Sequence, residues 1–150
     1  MRFFLALIAS SLTLFTSNAL AQSAREVRES YVEGPVWHMI YMRTASGQRE
    51  AYLKSLSGVW REQVELAEVM GFVLDHHVLT KWPSDPDDWD VLIIEIFPNM
   101  AAYDTFWEDW AKVDAKILED AERQKEIQAA VVAERTMLGV QIAREVTFKD

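Results

Sequence analysis

The sequence predicts an α+β fold in which two helical segments cover one face of a four-stranded antiparallel sheet. From residue 22 onwards, its apolar residues follow the order strand, helix, strand, strand, helix, strand. The 129 residues that follow residue 21 are enough for one domain with a buried core but not for two. That order is the split βαβ arrangement of a ferredoxin-like domain, which we expect over residues 36–150.

The first 21 residues have the pattern of a secretory signal peptide. Arg2 supplies a positive start, residues 3–15 are almost wholly apolar, and Ala19 and Ala21 satisfy the small-x-small rule for cleavage. The apolar run is too short to span a bilayer comfortably, and no second run of about 18 apolar residues follows. We therefore expect export to the periplasm or the exterior and no membrane association after cleavage; an uncleaved anchor is the alternative.

The first elements of the mature chain are a leader, a strand and a helix. The residues before Pro35 are polar and charged, which predicts a flexible leader over 22–35. Residues 36–43 are mostly apolar, β-branched or aromatic, with no breaker, which predicts a strand. Residues 48–70 place apolar side chains at three- and four-residue spacing, which predicts an amphipathic helix stopped by Gly71.

The middle of the chain predicts a β-hairpin. Residues 72–82 and 88–97 form two strand-like runs. The segment 83–87 between them reads Pro-Ser-Asp-Pro-Asp, which is typical of a turn and unsuited to a strand interior. These two runs are therefore the second and third predicted strands.

The last third of the chain predicts a long helical tract and a closing strand. Asn99 is a suitable N-cap for a tract that reaches about Met137. A straight helix of that length would exceed about 50 Å and overrun the sheet, so we expect a break near residues 119–123. Gly139 ends the predicted tract, and the alternation of residues 140–148 predicts the fourth strand.

Charge and composition exclude several partners. With Arg2 removed, 14 basic and 24 acidic residues give the mature chain a net charge of −10. Phosphate backbones and anionic lipid surfaces would be repelled, so we expect neither nucleic acid nor a membrane as a partner. The absence of cysteine excludes disulfides, cysteine nucleophiles and zinc–thiolate sites. No Gly-rich phosphate loop or haem attachment motif is present, and we expect no cofactor.

The first strand predicts an oligomer because both of its faces are apolar. His38 and Ile40 point to one face, whereas Trp37, Met39 and Tyr41 point to the other. Two helices can cover only one face, so the second apolar face would form an unusually large exposed patch. Two alternate residues of the third strand are expected in this patch, Val91 and Ile93. Burial against a second copy is the simplest remedy, and we expect a homodimer through Trp37, Met39 and Tyr41.

Two segments resemble the dimeric α/β-barrel superfamily of ferredoxin-like proteins, and the match covers about residues 36–148. Residues 36–41, Val-Trp-His-Met-Ile-Tyr, are similar to the opening strand of its stress-responsive and polyketide-cyclase branch. Residues 95–103, Glu-Ile-Phe-Pro-Asn-Met-Ala-Ala-Tyr, are similar to the strand-to-helix junction of its antibiotic-biosynthesis monooxygenase branch. The resemblance implies dimers packed sheet against sheet, with the His38 face of the first strand under the helices.

The three histidines are candidates for proton transfer or metal binding. His38 can act as a general acid or base near neutral pH, and the alternative is a hydrogen-bonded strand residue. His76 and His77 are adjacent on a strand, so they point to opposite faces and cannot hold one metal together. Residues 100–137 contain no histidine, whereas haem-degrading and many cyclase relatives have one there. We therefore expect no specific metal or haem site.

Glu95 is an acidic residue inside an otherwise apolar strand. An ionised carboxylate is costly to bury unless it is paired or hydrogen-bonded, which makes Glu95 a second candidate base. The alternative is an ion pair with Arg43 or Arg144 across the sheet or the dimer interface. Asp75 is expected to orient a neighbour or to lie at a solvated edge.

The aromatic residues predict a hydrophobic pocket between the sheet and the helices. Among six tryptophans, Trp60, Trp107 and Trp110 fall on helix positions that face the sheet or its margin. A flat hydrophobic ligand would suit such a pocket, and plain core packing is the alternative. The expected lining is Ile40, Tyr52, Trp60, His76, Phe106 and Trp110.

Two functions are compatible with these residues. The first is an exported homodimer that holds a small apolar or aromatic ligand without turnover. The second is a cofactor-independent enzyme, resembling the monooxygenase or cyclase relatives, in which His38 moves a proton on a phenolic or polyketide-like substrate.

Overall fold

A computed structural model describes residues 30–117, 125, 129 and 135–150. The chain divides into two units, and the larger one spans Gly34–Glu145. The described part of the smaller unit consists of residues 30–33 and 146–150, where the Lys149 amide donates a hydrogen bond to the Ser30 carbonyl at 2.9 Å.

The strands and helical segments follow the predicted order of strand, helix, strand, strand, helix, strand. The elements are β1 (Tyr31–Thr44), α1 (Arg49–Ser55), a π-helical turn (Leu56–Trp60), α2 (Arg61–Met70), β2 (Asp75–Thr80), β3 (Val91–Phe97), α3 (Met100–Asp104), α4 (Phe106–Ile117) and β4 (Arg135–Phe148). None of the helices within the described ranges has the length and hydropathy of a membrane-spanning segment.

The strands form one sheet in the order β2-β3-β1-β4. β3 pairs antiparallel with β1 on one side and with β2 on the other. The register places His38 and His76 opposite Glu95 from the two sides. This strand order, with helices after the first and third strands, is the ferredoxin-like α+β fold, and the predicted fold class is confirmed.

The first helical region is interrupted, whereas a single helix was expected over 48–70. Gly58 has non-helical backbone angles (φ −94°, ψ −118°) within the π-helical turn. Glycine tolerates this departure because it has no Cβ. Gly71 ends α2 with a φ of +85°, and its amide donates to the carbonyls of Ala67 and Glu68.

The second helical region begins as predicted and breaks earlier than expected. The side chain of Asn99 accepts a hydrogen bond from the Ala102 amide at 3.0 Å, which caps α3. α3 ends at Asp104 with Thr105 as its C-cap, and α4 begins with Phe106. The break expected near residues 119–123 lies outside the described residues.

The outer strands are longer than predicted. β1 begins at Tyr31, so the last residues assigned to the leader belong to a strand. β4 begins at Arg135, and therefore Met137 and Gly139 lie inside a strand and do not end a helix. Local apolar spacing does not report such pairing, because a strand's neighbour supplies its hydrogen bonds.

The sheet has a helix-covered face and a second face that is also apolar. Val36, Met42, Val91 and Ile93 pack with helix residues in two buried clusters. Within the described ranges, the third cluster is formed by residues of β1, β3 and the loop before β3, and it marks the second face. Its members are Trp37, Met39, Tyr41, Trp89, Leu92, Ile94 and Ile96.

Two sequence-based placements are therefore wrong. Val91 and Ile93 lie on the helix-covered face and not beside Trp37, because β3 is shifted by one residue from the expected parity. Trp107 is 80% exposed on α4 and does not face the sheet.

Candidate functional site

A row of polar side chains crosses the helix-covered face of the sheet. Its members in the strands are His38, Glu95 and His76, which are direct cross-strand neighbours. Residues opposite each other in an antiparallel pair project to the same face. A fourth member, Glu68 of α2, joins the row through His76.

The inner end of the row is a buried imidazole–carboxylate pair. His38 Nδ1 lies 3.0 Å from Glu95 Oε2, and both side chains are more than nine-tenths buried. Glu95 therefore pairs with His38 and not with Arg43, which donates to the Asp88 carbonyl. This arrangement satisfies the carboxylate that was expected to require a partner.

Aromatic rings enclose this pair. The edges of Tyr103 and Phe106 meet the His38 ring at centroid distances of 5.6 and 5.2 Å, and Phe97 lies 6.4 Å away. Desolvation raises the pKa of the Tyr103 phenol, and the charge of Glu95 raises it further. A bond from Nδ1 to a carboxylate fixes the imidazole so that Nε2 can accept a proton.

The outer end of the row is a partly exposed imidazole–carboxylate pair. His76 Nδ1 lies 2.6 Å from Glu68 Oε1, with 24% and 30% of the side chains exposed. The Trp60 ring meets His76 edge-on at 5.5 Å. His77 projects to the second face, where its ring lies 6.3 Å from Trp37, as strand alternation predicts.

A groove of about 440 Å³ lies beside this outer pair. Its wall is apolar, with Trp60 as the largest ring, and its polar groups come from Ser57, Arg61 and the two imidazoles. The full lining is Leu53, Leu56, Ser57, Trp60, Arg61, His76, His77, Val78 and Leu79.

The six predicted pocket residues do not share one cavity. Trp60 and His76 line the groove. Ile40 and Tyr52 belong to the cluster around Met42, whereas Phe106 and Trp110 pack around Val113. Burial raises the pKa of Tyr52, which is fully enclosed, and the nearby charge of Arg135 opposes that rise.

A second cavity of about 470 Å³ lies between the loop after β1 and the β2–β3 loop. Its charged lining is mixed, with Arg43 and Arg49 against Glu50 and Asp90. Arg49 stacks on the exposed Trp82 ring at 4.4 Å. None of the predicted pocket residues lines this cavity.

Sequence reasoning missed Glu68 and Tyr103 as site residues. Glu68 follows Trp60 and Val64 at four-residue intervals, so it lies on the same helical stripe and its position could have been inferred. Tyr103 lies on a helix that the sequence predicts, but its contact with His38 depends on how α3 crosses the sheet.

Comparisons with known proteins give only distant likenesses. No protein family profile and no curated protein matches the chain. A dimeric ferredoxin-like protein from an uncultured marine organism has a TM-score of 0.47 at 13% identity, covering 79% of this chain and 91% of its own. A Shewanella oneidensis protein has a TM-score of 0.46 at 13% identity, with coverage of 77% and 97%.

A third likeness is to a dimeric protein of unknown function and ferredoxin-like fold from Bacteroides fragilis. Its TM-score is 0.39 at 11% identity, with coverage of 77% of this chain and 97% of that protein. The fold assignment rests on the chain's own strand order and register.

Proposed function

We propose that the protein is an exported homodimer that binds a small apolar or aromatic molecule in the groove beside β2. The observation that carries this proposal is the groove of about 440 Å³, which is walled by Trp60 and aliphatic side chains. Its volume falls within the range of about 300–1,000 Å³ that is typical of small-molecule sites.

The polar groups of the groove define the substituents that a ligand would carry. Arg61, His76, His77 and Ser57 supply hydrogen-bond donors beside an otherwise apolar wall. A flat ring with one hydroxyl or acidic group would match both the apolar wall and the donors. Its ring would contact Trp60, and its oxygen would accept hydrogen bonds from the donors.

Fluorescence of the aromatic anion 1-anilinonaphthalene-8-sulfonate tests this groove. We expect saturable binding and an affinity loss of about tenfold or more in Trp60→Ala. Trp107→Ala is the matched control, because Trp107 is exposed on another helix and is absent from the groove lining. Equal affinity in both variants would place the probe elsewhere and contradict the proposal.

The apolar second face supports the homodimer. It carries the partly exposed side chains of Trp37, Met39 and Tyr41 over a row of buried aliphatic β3 residues. Apolar patches of this kind on a sheet are normally buried against another surface. Tyr41 belongs to this face, where it contacts the Trp89 ring and donates to Gln141.

Analytical ultracentrifugation at micromolar concentration tests the dimer. We expect a dimer that dissociates in Tyr41→Glu, since a carboxylate would be buried without a partner. Trp82→Glu is the control, because Trp82 is exposed in the hairpin loop. A monomeric wild-type protein would refute the interface.

The N-terminal pattern supports export. Expression of the full chain should yield a mature protein that begins at Gln22, as measured by intact mass. Replacement of Ala21 with a bulky residue should block cleavage, because the signal peptidase needs a small residue there. Retention of residues 1–21 in the wild-type protein would contradict the proposal.

A second candidate function is acid–base catalysis by His38. The specific observation is the buried His38–Glu95 pair at 3.0 Å, which resembles the base–orienter geometry of catalytic pairs. In this function Glu95 orients the imidazole, Nε2 takes a proton from a phenolic substrate, and Tyr103 and Phe106 exclude water.

The variant His38→Gln separates the two functions. Lost turnover of a phenolic substrate with retained binding would support catalysis, whereas undiminished turnover would remove His38 from the mechanism. Trp82→Ala is the control, because Trp82 is exposed in the β2–β3 loop and is absent from the groove lining. Circular dichroism confirms that each variant is folded.

A further inference from the structure

Three potential metal ligands meet at the outer end of the polar row. One carboxylate oxygen each from Glu68 and Asp75 and one imidazole nitrogen of His76 lie within 4.8 Å of one another. Glu68 comes from α2, whereas Asp75 and His76 begin β2. Neighbouring strand residues usually point to opposite faces, but the Asp75 carboxylate folds back at the start of β2 and accepts a hydrogen bond from the His76 amide at 2.8 Å, which keeps it near the imidazole. The turn at Gly71 brings these two elements together.

We infer that Glu68, Asp75 and His76 form a binding site for a divalent transition-metal ion. This inference replaces the expectation from the sequence that no metal binds. That expectation considered only pairs of histidines and did not consider a carboxylate from α2.

The charges around the site favour a dication. Glu68 is paired with His76 at 2.6 Å, and Asp75 with His77 at 3.6 Å. Within the part of the chain that the structure describes, no lysine or arginine forms an ion pair with either carboxylate. The site therefore brings two carboxylates together, whose charge a divalent cation would neutralise.

The geometry requires only a small adjustment. Metal–ligand bonds of about 2.0–2.2 Å place neighbouring donor atoms roughly 3 Å apart in a tetrahedral or octahedral site. Glu68 Oε1 and His76 Nδ1 lie 2.6 Å apart, so a cation between them requires a separation larger by only a few tenths of an ångström. Asp75 can rotate to complete the set, because 59% of its side chain is exposed.

The donor atoms define the class of metal. Two carboxylate oxygens and one imidazole nitrogen suit Zn²⁺, Mn²⁺ or Fe²⁺ better than Ca²⁺ or Mg²⁺, which prefer oxygen ligands alone. Three protein ligands leave at least one coordination position for water or another molecule. His76 also lines the groove, so the metal site and the groove share a residue.

Isothermal titration calorimetry with ZnCl₂ on untagged, EDTA-treated protein tests the inference. We expect one Zn²⁺ per chain and much weaker binding of Ca²⁺. Glu68→Gln and His76→Gln should each weaken Zn²⁺ binding by at least about tenfold. Glu65→Gln is the matched control, because Glu65 lies one turn away on α2 and pairs with Arg61.

Two results would overturn the site. One is the absence of stoichiometric Zn²⁺ binding to the wild-type protein. The other is an unchanged Zn²⁺ affinity in folded Glu68→Gln and His76→Gln, which would show that the ion binds adventitiously elsewhere. The outcome is independent of the groove ligand, because 1-anilinonaphthalene-8-sulfonate binding is measured in EDTA.

Discussion

The His38–Glu95 and His76–Glu68 pairs join the same functional groups in two environments. The first pair lies under aromatic rings with almost no exposed surface, whereas about a quarter of each side chain of the second is exposed beside a groove. A buried polar group that loses its partner cannot form a replacement hydrogen bond with water, whereas a partly exposed group can. The inner pair is therefore costly to break, whereas breaking the outer pair costs less.

The largest expected effect comes from breaking the inner pair. Glu95→Ala should lower the free energy of unfolding by about 3–5 kcal/mol, because His38 would be left buried without its partner. Urea denaturation measures this loss. The double variant His38→Leu/Glu95→Leu should recover most of it, since an apolar pair of similar volume carries no unpaired group. A double variant as unstable as Glu95→Ala would contradict this account.

Removal of the ring that covers the inner pair should have the next largest effect. Phe106→Ala is expected to cost about 2–3 kcal/mol, below the usual cost for a fully buried phenylalanine, because Phe106 is only partly buried. Thermal and urea unfolding measure the change. Trp107→Ala, at the adjacent exposed position, should change stability by less than about 0.5 kcal/mol.

The helix cap that positions Tyr103 over His38 should have a smaller effect. Asn99→Ala is expected to cost about 1 kcal/mol, because the Ala102 amide loses its acceptor. Asn99→Asp should retain stability, since aspartate caps equally well. Equal losses in both variants, measured by urea denaturation, would show that the side chain of residue 99 matters for another reason.

The smallest effect is expected at the outer pair. His76→Gln should change the free energy of unfolding by less than about 1 kcal/mol, because solvent reaches both partners. The same urea series that measures Glu95→Ala provides the comparison. A cost at His76 that equals the cost at Glu95 would remove the distinction between the two pairs.

Local sequence signals predicted the elements and their caps. Apolar spacing predicted the order of strands and helices. Gly71 was identified as the end of one helix and Asn99 as the start of another, because capping depends on a few neighbouring residues. Strand alternation also placed His76 and His77 on opposite faces. The signal peptide, export and dimerisation stay predictions.

The sequence did not predict how the candidate site is assembled. Glu95 was expected to pair with an arginine, but the register of β1 against β3 places it opposite His38. Register depends on which faces two distant strands bury together, and no local pattern reports it. The contact of Glu68 with His76 was not predicted for the same reason, because it joins a helix to a strand.

The sequence by itself determined the ferredoxin-like order of elements, because periodicity and capping are local properties of the chain. The tertiary structure alone decided that His38, Glu95, His76 and Glu68 form one row, and which end of it is buried. The physical reason is that the row is created by pairing between strands and by the packing of α2, α3 and α4 on the sheet. Both depend on contacts between residues that are far apart in the chain.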